Sequence, residues 1–293
     1  MKSPLKVHLV LAFVSLLFGI NYTVAKIIMP EHISAVGIIA FRVPIATFLF
    51  WTFHKFAGTS KMPASKDLLR FFFSALFGVA INQIFFFKGI SLTSPMLGSV
   101  IMTSTPIFVL IVSYFLLKDK ITWLKFMGIG LGASGAILLI TSQGADFTNS
   151  TFTGNLFIVV NAISYSIYLV IVKPLMQKYN ALTVIKWIFL FGSFMVIPFG
   201  YQELLGIDWV SFDWEIWASI TYIIIGGTFL SYLLNLWSLK TVSPALVGYY
   251  IYLQPLFATL IAIIFRGDEL TLASTLYSIM IFGGVFLVSY TKK

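Results

Sequence analysis

Arg42 is the cation that stands deepest in an apolar stretch of this sequence, eight positions after Ser34 in a run that continues to Phe53. At about 1.5 Å per helical residue it lies about 12 Å inside the boundary of a hydrocarbon core about 30 Å thick. An arginine at that depth costs at least about 2.5–3.5 kcal/mol on insertion scales, so it must face the interior and find a partner. Its planar fork suits two-point binding of a carboxylate or phosphate. The competing reading is a structural arginine that caps helix carbonyls or braces a loop. Asn21 and Asn82 fall about 20 Å, and Arg42 about 18 Å, from the same membrane face by the same rise per residue. Gln83, Thr103 and Thr105 reach that layer too. Taken singly, Asn, Gln and Thr are ordinary interhelical glue in bilayers. Gathered at one depth from different segments, they have the makings of a binding site.

A second set answers the first at a fixed spacing. Asn82 and Gln83 match Ser231 and Tyr232, Thr103 matches Tyr252, and Thr105 matches Gln254, each 149 residues on. Asn235 lies one turn from Ser231, Tyr249 lies one turn before Tyr252, and Tyr165 occupies the place matching Phe18. Gly78, Asn82 and Phe86, and likewise Gly227, Ser231 and Asn235, recur at i, i+4, i+8 and so share a helix face. Polar groups on one side and tyrosines on the other suit a zwitterion with an apolar or aromatic side chain. Core packing and interfacial tyrosine belts are the plain alternative. Pro106 and Pro255 also match; each deletes a backbone donor and bends its helix, as a gating hinge or as a static kink.

Several chemistries are excluded or unsupported. With no cysteine there is no disulfide, thiolate zinc site or thiol nucleophile, and His8, His32 and His54 are scattered away from mid-span. Every Asp and Glu lies in or beside a loop. Proton-coupled pumps and cationic-drug exporters ordinarily keep a membrane carboxylate, so a facilitator or exchanger driven by substrate gradients is expected. No nucleophile–base pair, carboxylate pair or metal set falls within the spans, so neither an enzyme nor a bound cofactor is expected. Gly130-Leu131-Gly132-Ala133-Ser134-Gly135 fits a dinucleotide fingerprint, but no strand precedes it; Gly128 and Gly132 read better as small-residue helix packing.

The elements that must hold these residues follow from composition. The chain has 293 residues, 59% hydrophobic and 10% charged, against about 25% charged in soluble domains. Its exterior has to face lipid. Apolar stretches near 7–28, 34–53, 68–89, 95–117, 122–141, 154–172, 182–200, 214–239, 245–265 and 272–290 predict ten spanning helices in an all-α integral membrane protein, most of them separated by Pro, Gly or Ser, Pro174 among them. The first run is too long for a signal segment. With the N-terminus cytoplasmic, fifteen of the nineteen Lys and Arg residues fall on the cytoplasmic side, which accounts for the +9 charge without nucleic acid. Lys26, Lys88, Lys186 and Lys240, near helix ends, read as snorkelling.

Ser94-Pro95, Pro106 and Asp119 return as Ser243-Pro244, Pro255 and Asp268, all at an offset of 149. Residues 1–141 and 154–293 are therefore two five-helix repeats joined by an extracytoplasmic connector, 142–153. An odd number of helices forces the halves into opposite orientations, an inverted-topology repeat of the kind that alternating access exploits.

Ten helices, two such repeats, the Ser-Pro, Pro and acidic pattern closing each half, and Phe41-Arg42 together resemble the EamA-type branch of the drug/metabolite transporter superfamily across essentially the whole chain. In place of that family's usual Gly-Glu after helices four and nine stand Lys118-Asp119 and Gly267-Asp268. The resemblance implies a central cavity lined by helices one, three, four, six, eight and nine, with five and ten peripheral. It implies export of amino acids or related metabolites across a bacterial-type inner membrane, with both termini cytoplasmic. The partners expected are a small molecule and the bilayer, with the chain a monomer or a homodimer. Because the superfamily includes nucleotide-sugar and sugar-phosphate exchangers, an anion exchanger for phosphorylated metabolites is the alternative.

Overall fold

The computed structural model describes residues 5–57, 62–117, 122–141, 150–242, 244–266 and 271–289, and these contain helices but no strand. Asp119, Ser243, Asp268 and most of the 142–153 connector lie outside the described residues. Helix α1 is Leu5–Ile28 and α2 is Ala35–Ala57. Helix α3, Ser65–Leu92, carries a π-turn at Leu76–Ala80. Helix α4 breaks into Pro95–Met102 and Thr105–Leu117. Then follow α5 (Trp123–Thr141), α6 (Ser150–Lys178) and α7 (Ala181–Leu205). Helix α8, Trp214–Thr241, has its own π-turn at Ile225–Leu230. Helix α9 breaks into Pro244–Tyr250 and Leu253–Arg266, and α10 is Leu272–Ser289. Seven of these, α1 to α4 and α6 to α8, are long and apolar enough to cross a membrane. Phe48, Phe115, Trp123, Phe194, Ile264 and Phe286 stand exposed, as lipid-facing side chains do.

Pro174 differs from its expected role as punctuation: it lies inside α6, and the helix runs on to Lys178. In lipid the backbone has no water to bond, so the chain stays helical through a proline wherever neighbours can satisfy the freed groups. The real stop is Asn180, whose side chain caps α7 by accepting from the Thr183 N–H at 2.6 Å.

The offset of 149 is written into the local geometry. The π-turns begin at Leu76 and Ile225, and the helix breaks fall just before Pro106 and Pro255. Contacts between the halves exchange by the same rule. A Cβ on Gly284 would lie 2.4 Å from the Gly132 nitrogen and 2.6 Å from the Gly128 oxygen. A Cβ on Gly135 would lie 2.9 Å from the Tyr277 oxygen and 3.0 Å from the Ile281 nitrogen. Adding 149 to 128, 132 and 135 gives 277, 281 and 284, so each half makes the other's contact. Residue numbers rise on α5 as they fall on α10, so the two helices cross antiparallel, backbone against backbone, through small residues. Both present exposed apolar residues outward, among them Phe126, Ile137, Leu276 and Phe286. Helices α2 and α7 pair in the same antiparallel sense: Thr47 Oγ1 bonds Ser193 Oγ at 2.7 Å, and Gly200 abuts Val36.

Lys26 and Lys173 are repeat mates at an offset of 147. Lys26 donates to the Ile90 and Ser91 carbonyls at 3.1 and 2.8 Å, closing the end of α3. Lys173 donates to the Leu239 and Val242 carbonyls, closing the end of α8. Lys26 thus caps a helix where snorkelling was expected.

Candidate functional site

The π-turns and proline breaks set the site's walls. In the first π-turn the Phe77 carbonyl accepts from Ser164 Oγ at 2.6 Å and the Gly78 carbonyl from the Tyr232 hydroxyl at 3.0 Å, both across helices. In the second, Thr228 and Ser231 serve their own helix, bonding the Ile223 and Gly226 carbonyls at 2.7 and 2.6 Å. Ser231 therefore spends its hydroxyl on backbone. So do Thr103 and Thr105, which bond the Val100 and Met102 carbonyls at 2.6 Å each. Met102 is the residue whose carbonyl Pro106, lacking an N–H, cannot reach; the Thr105 hydroxyl fills that gap.

Between α1, α2, α3, α4, α6, α8 and α9 lies a cavity with about 50 Å³ of room for the centres of water-sized molecules. That is space for a few waters. Of the residues expected at a site, Asn21, Arg42, Asn82, Gln83, Tyr165, Tyr232 and Gln254 line it. Thr103, Thr105, Ser231 and Asn235 are buried but stand outside its lining. Asn235 reaches it indirectly, donating to the Tyr165 hydroxyl. Tyr252 instead packs with Ile107 and the Phe282 ring, towards α10, and the Tyr249 side chain lies outside the described residues.

The lining includes Phe18, Tyr22, Phe86, Met102, Asn161 and Gly227, none of them expected as site residues. Asn161 was within reach of the sequence, since it stands one turn before Tyr165 on the same face of α6. Tyr22 donates to Gln254 Oε1 at 3.3 Å. No polarity pattern marks it, because a tyrosine beside a membrane asparagine reads as packing.

A single chain of contacts crosses the cavity. Arg42 Nη2 donates to Gln83 Oε1. Gln83 Nε2 donates to the Tyr232 hydroxyl and, at 3.2 Å, to Asn82 Oδ1, which Tyr232 also reaches at 3.2 Å. Asn161 Nδ2 donates to the Asn82 carbonyl at 2.7 Å. The guanidinium also lies 4.4 Å from the Phe87 ring centre. Arg42 is only 1% exposed, yet its Nε and Nη1 donors have no hydrogen-bond partner. The same holds for the acceptors Asn21 Oδ1 and Asn161 Oδ1. Among the described residues the ion pair is Lys178 with Asp67, and no acidic side chain lines the cavity. Free donors on a buried cation can pair with an anionic group, and the free amide oxygens in the same chamber can accept from a hydrogen-bond donor.

Apolar helices, halves that exchange contacts, and a polar chamber between them define a multi-pass membrane transporter. The chain belongs to the EamA-like transporter family, which it matches over residues 5–141 and again over 152–290, once per repeat. It is similar to a protein of Archaeoglobus fulgidus named an uncharacterized transporter, at 25% identity over 287 residues and 97% of each chain. It is also similar to the protein WALLS ARE THIN 1 of Arabidopsis thaliana, at 26% identity over 99% of this chain and 84% of that one. A solved crystal structure shares the fold with a TM-score of 0.68 and 17% identity over 98% of both chains.

Proposed function

We propose that the chain is a secondary transporter, a facilitator or exporter, that moves amino acids or related small polar metabolites across the inner membrane by alternating access. In this reading ten helices span, both termini are cytoplasmic, and the halves are inverted repeats. The observation that carries it is Arg42, a buried guanidinium with two unpartnered donors in a chamber that holds no acidic side chain among the described residues. A substrate carboxylate would occupy the fork. The substrate ammonium would sit against Asn21 Oδ1 and Asn161 Oδ1, and its side chain against Phe18, Phe86 and Met102. With room for only a few waters, the chamber has to enlarge to admit a substrate, and movement of one half against the other would do so. Exchange of phosphorylated metabolites is the weaker reading, because one lining cation meets a dianion poorly. Uptake and counterflow in proteoliposomes against a panel of amino acids, sugar phosphates and nucleotide sugars tests it. Amino-acid counterflow is expected; transport confined to phosphorylated compounds would overturn it.

A further inference from the structure

A second buried cation lies away from the cavity. Lys186, in the second turn of α7, is only 3% exposed, and its ammonium sits 4.5 Å from the centre of the Trp51 ring on α2. Asp67, an acid from the neighbouring α3, is already taken by Lys178 Nζ at 2.7 Å and the Tyr179 hydroxyl at 2.8 Å. Around Lys186 stand further polar atoms that are buried and unpartnered: Thr183 Oγ1 and Trp187 Nε1 on the same face of α7, and His54 Nδ1 one turn from Trp51 on α2. Thr183 is 1% exposed, and Lys186 is close enough to His54 for their charges to interact. Trp51 and Trp187 meet edge to face with ring centres 5.6 Å apart. Farther along the same two faces, Phe48 and Phe194 are exposed to the apolar exterior.

An ammonium, an indole N–H, a hydroxyl and an imidazole therefore lie buried along the seam between α2 and α7, at the end of the bundle where α2 finishes and α7 begins. A helical lysine leans towards its helix N-terminus, which here carries the ammonium towards the headgroup level. We propose that this seam binds the phosphate of an anionic phospholipid, with its acyl chains lying along the exposed face of Phe48 and Phe194. Basic pockets between spanning helices hold lipid headgroups by this chemistry. The repeat mate of Lys186 is Ile39, so the site exists in one half only and marks one leaflet, the cytoplasmic one in the topology proposed above.

The test is lipid retention by the delipidated full-length protein, read by native mass spectrometry with phosphatidylglycerol, phosphatidylcholine and inorganic phosphate as separate probes. Phosphatidylglycerol is expected to be retained in preference to phosphatidylcholine. Lys186→Gln should weaken that preference roughly fivefold, one basic group's share. Lys186→Arg should restore it, which a misfolded protein could not do, and Lys240→Gln at the same end should leave it unchanged. Equal retention of the two lipids, or a preference that survives Lys186→Gln, would overturn the proposal. Inorganic phosphate that binds in a Lys186-dependent way and displaces phosphatidylglycerol would show a free anion as the ligand and overturn the lipid.

Discussion

Gly78 and Gly227 are repeat mates, one in each π-turn, and alanine at each should fail differently. A Cβ on Gly78 would lie 2.3, 2.7 and 2.8 Å from three carbons of the Tyr168 ring. Carbon contacts settle at about 3.5–4.0 Å, so a rigid ring, 2% exposed, must retreat by about 1 Å into packed neighbours. Overpacking of that kind costs about 1–3 kcal/mol. A Cβ on Gly227 would lie 2.4 Å from Asn21 Oδ1 and 3.0 Å from Asn21 Cγ. That oxygen has no hydrogen-bond partner, so the carboxamide can swing aside at little cost in stability. The swing removes a cavity acceptor. If Asn21 receives the substrate ammonium, the loss is one charged hydrogen bond, about 1.5–3 kcal/mol, or about 10- to 100-fold in KM. Thermal unfolding in detergent and KM in proteoliposomes separate the two. Gly78→Ala should lower stability, and Gly227→Ala should raise KM while holding most of its stability. Equal destabilisation by both, with KM unchanged at Gly227→Ala, would refute the reasoning.

Other outcomes follow from the same geometry. Gly284→Ala should cost about 1–3 kcal/mol in unfolding measurements, because its Cβ meets the α5 backbone, whereas Gly130→Ala, with nothing within 4 Å, should stay within about 0.5 kcal/mol of the parent. Tyr232→Phe should destabilise by about 1–3 kcal/mol, since it takes a buried donor from the Gly78 carbonyl and leaves Gln83 Nε2 only its bond to Asn82 Oδ1. Substrate-driven proton flux, followed with an entrapped pH dye, is expected to be absent; flux that vanishes on replacing a single Asp or Glu would contradict gradient-driven transport.

The helices were legible in the sequence because lipid leaves the chain few options: apolar runs of spanning length become helices. The repeat was legible because prolines and glycines mark backbone geometry, and the offset of 149 carries through to the breaks before Pro106 and Pro255 and to the π-turns around Gly78 and Gly227. The π-turns themselves were not, since no residue type encodes an i→i+5 turn in an apolar segment. Depth along each helix brought Asn21, Arg42, Asn82 and Gln83 into one layer, and the cavity contains all four. Rotation about each helix axis was harder to read. Thr103, Thr105 and Ser231 lie at suitable depths but turn their hydroxyls to backbone carbonyls of their own helices, in the case of Thr105 to the Met102 carbonyl that Pro106 cannot reach. Tyr22 was illegible for the opposite reason, its face being set by packing against α9, whereas Asn161 shares the Tyr165 face of α6 and could have been read from it.

The central claim is that Arg42 receives a substrate carboxylate, and transport of an amino acid and its uncharged amide by wild type, Arg42→Ala and Arg42→Lys tests it most directly. Arg42→Ala should sharply reduce transport of the acid and change that of the amide little. Arg42→Lys should recover the acid only in part, because an ammonium keeps the charge and loses the planar fork. Equal loss for acid and amide would make Arg42 a brace between α2 and α3. Normal acid transport by Arg42→Ala would contradict the account and leave the polar layer as helix glue.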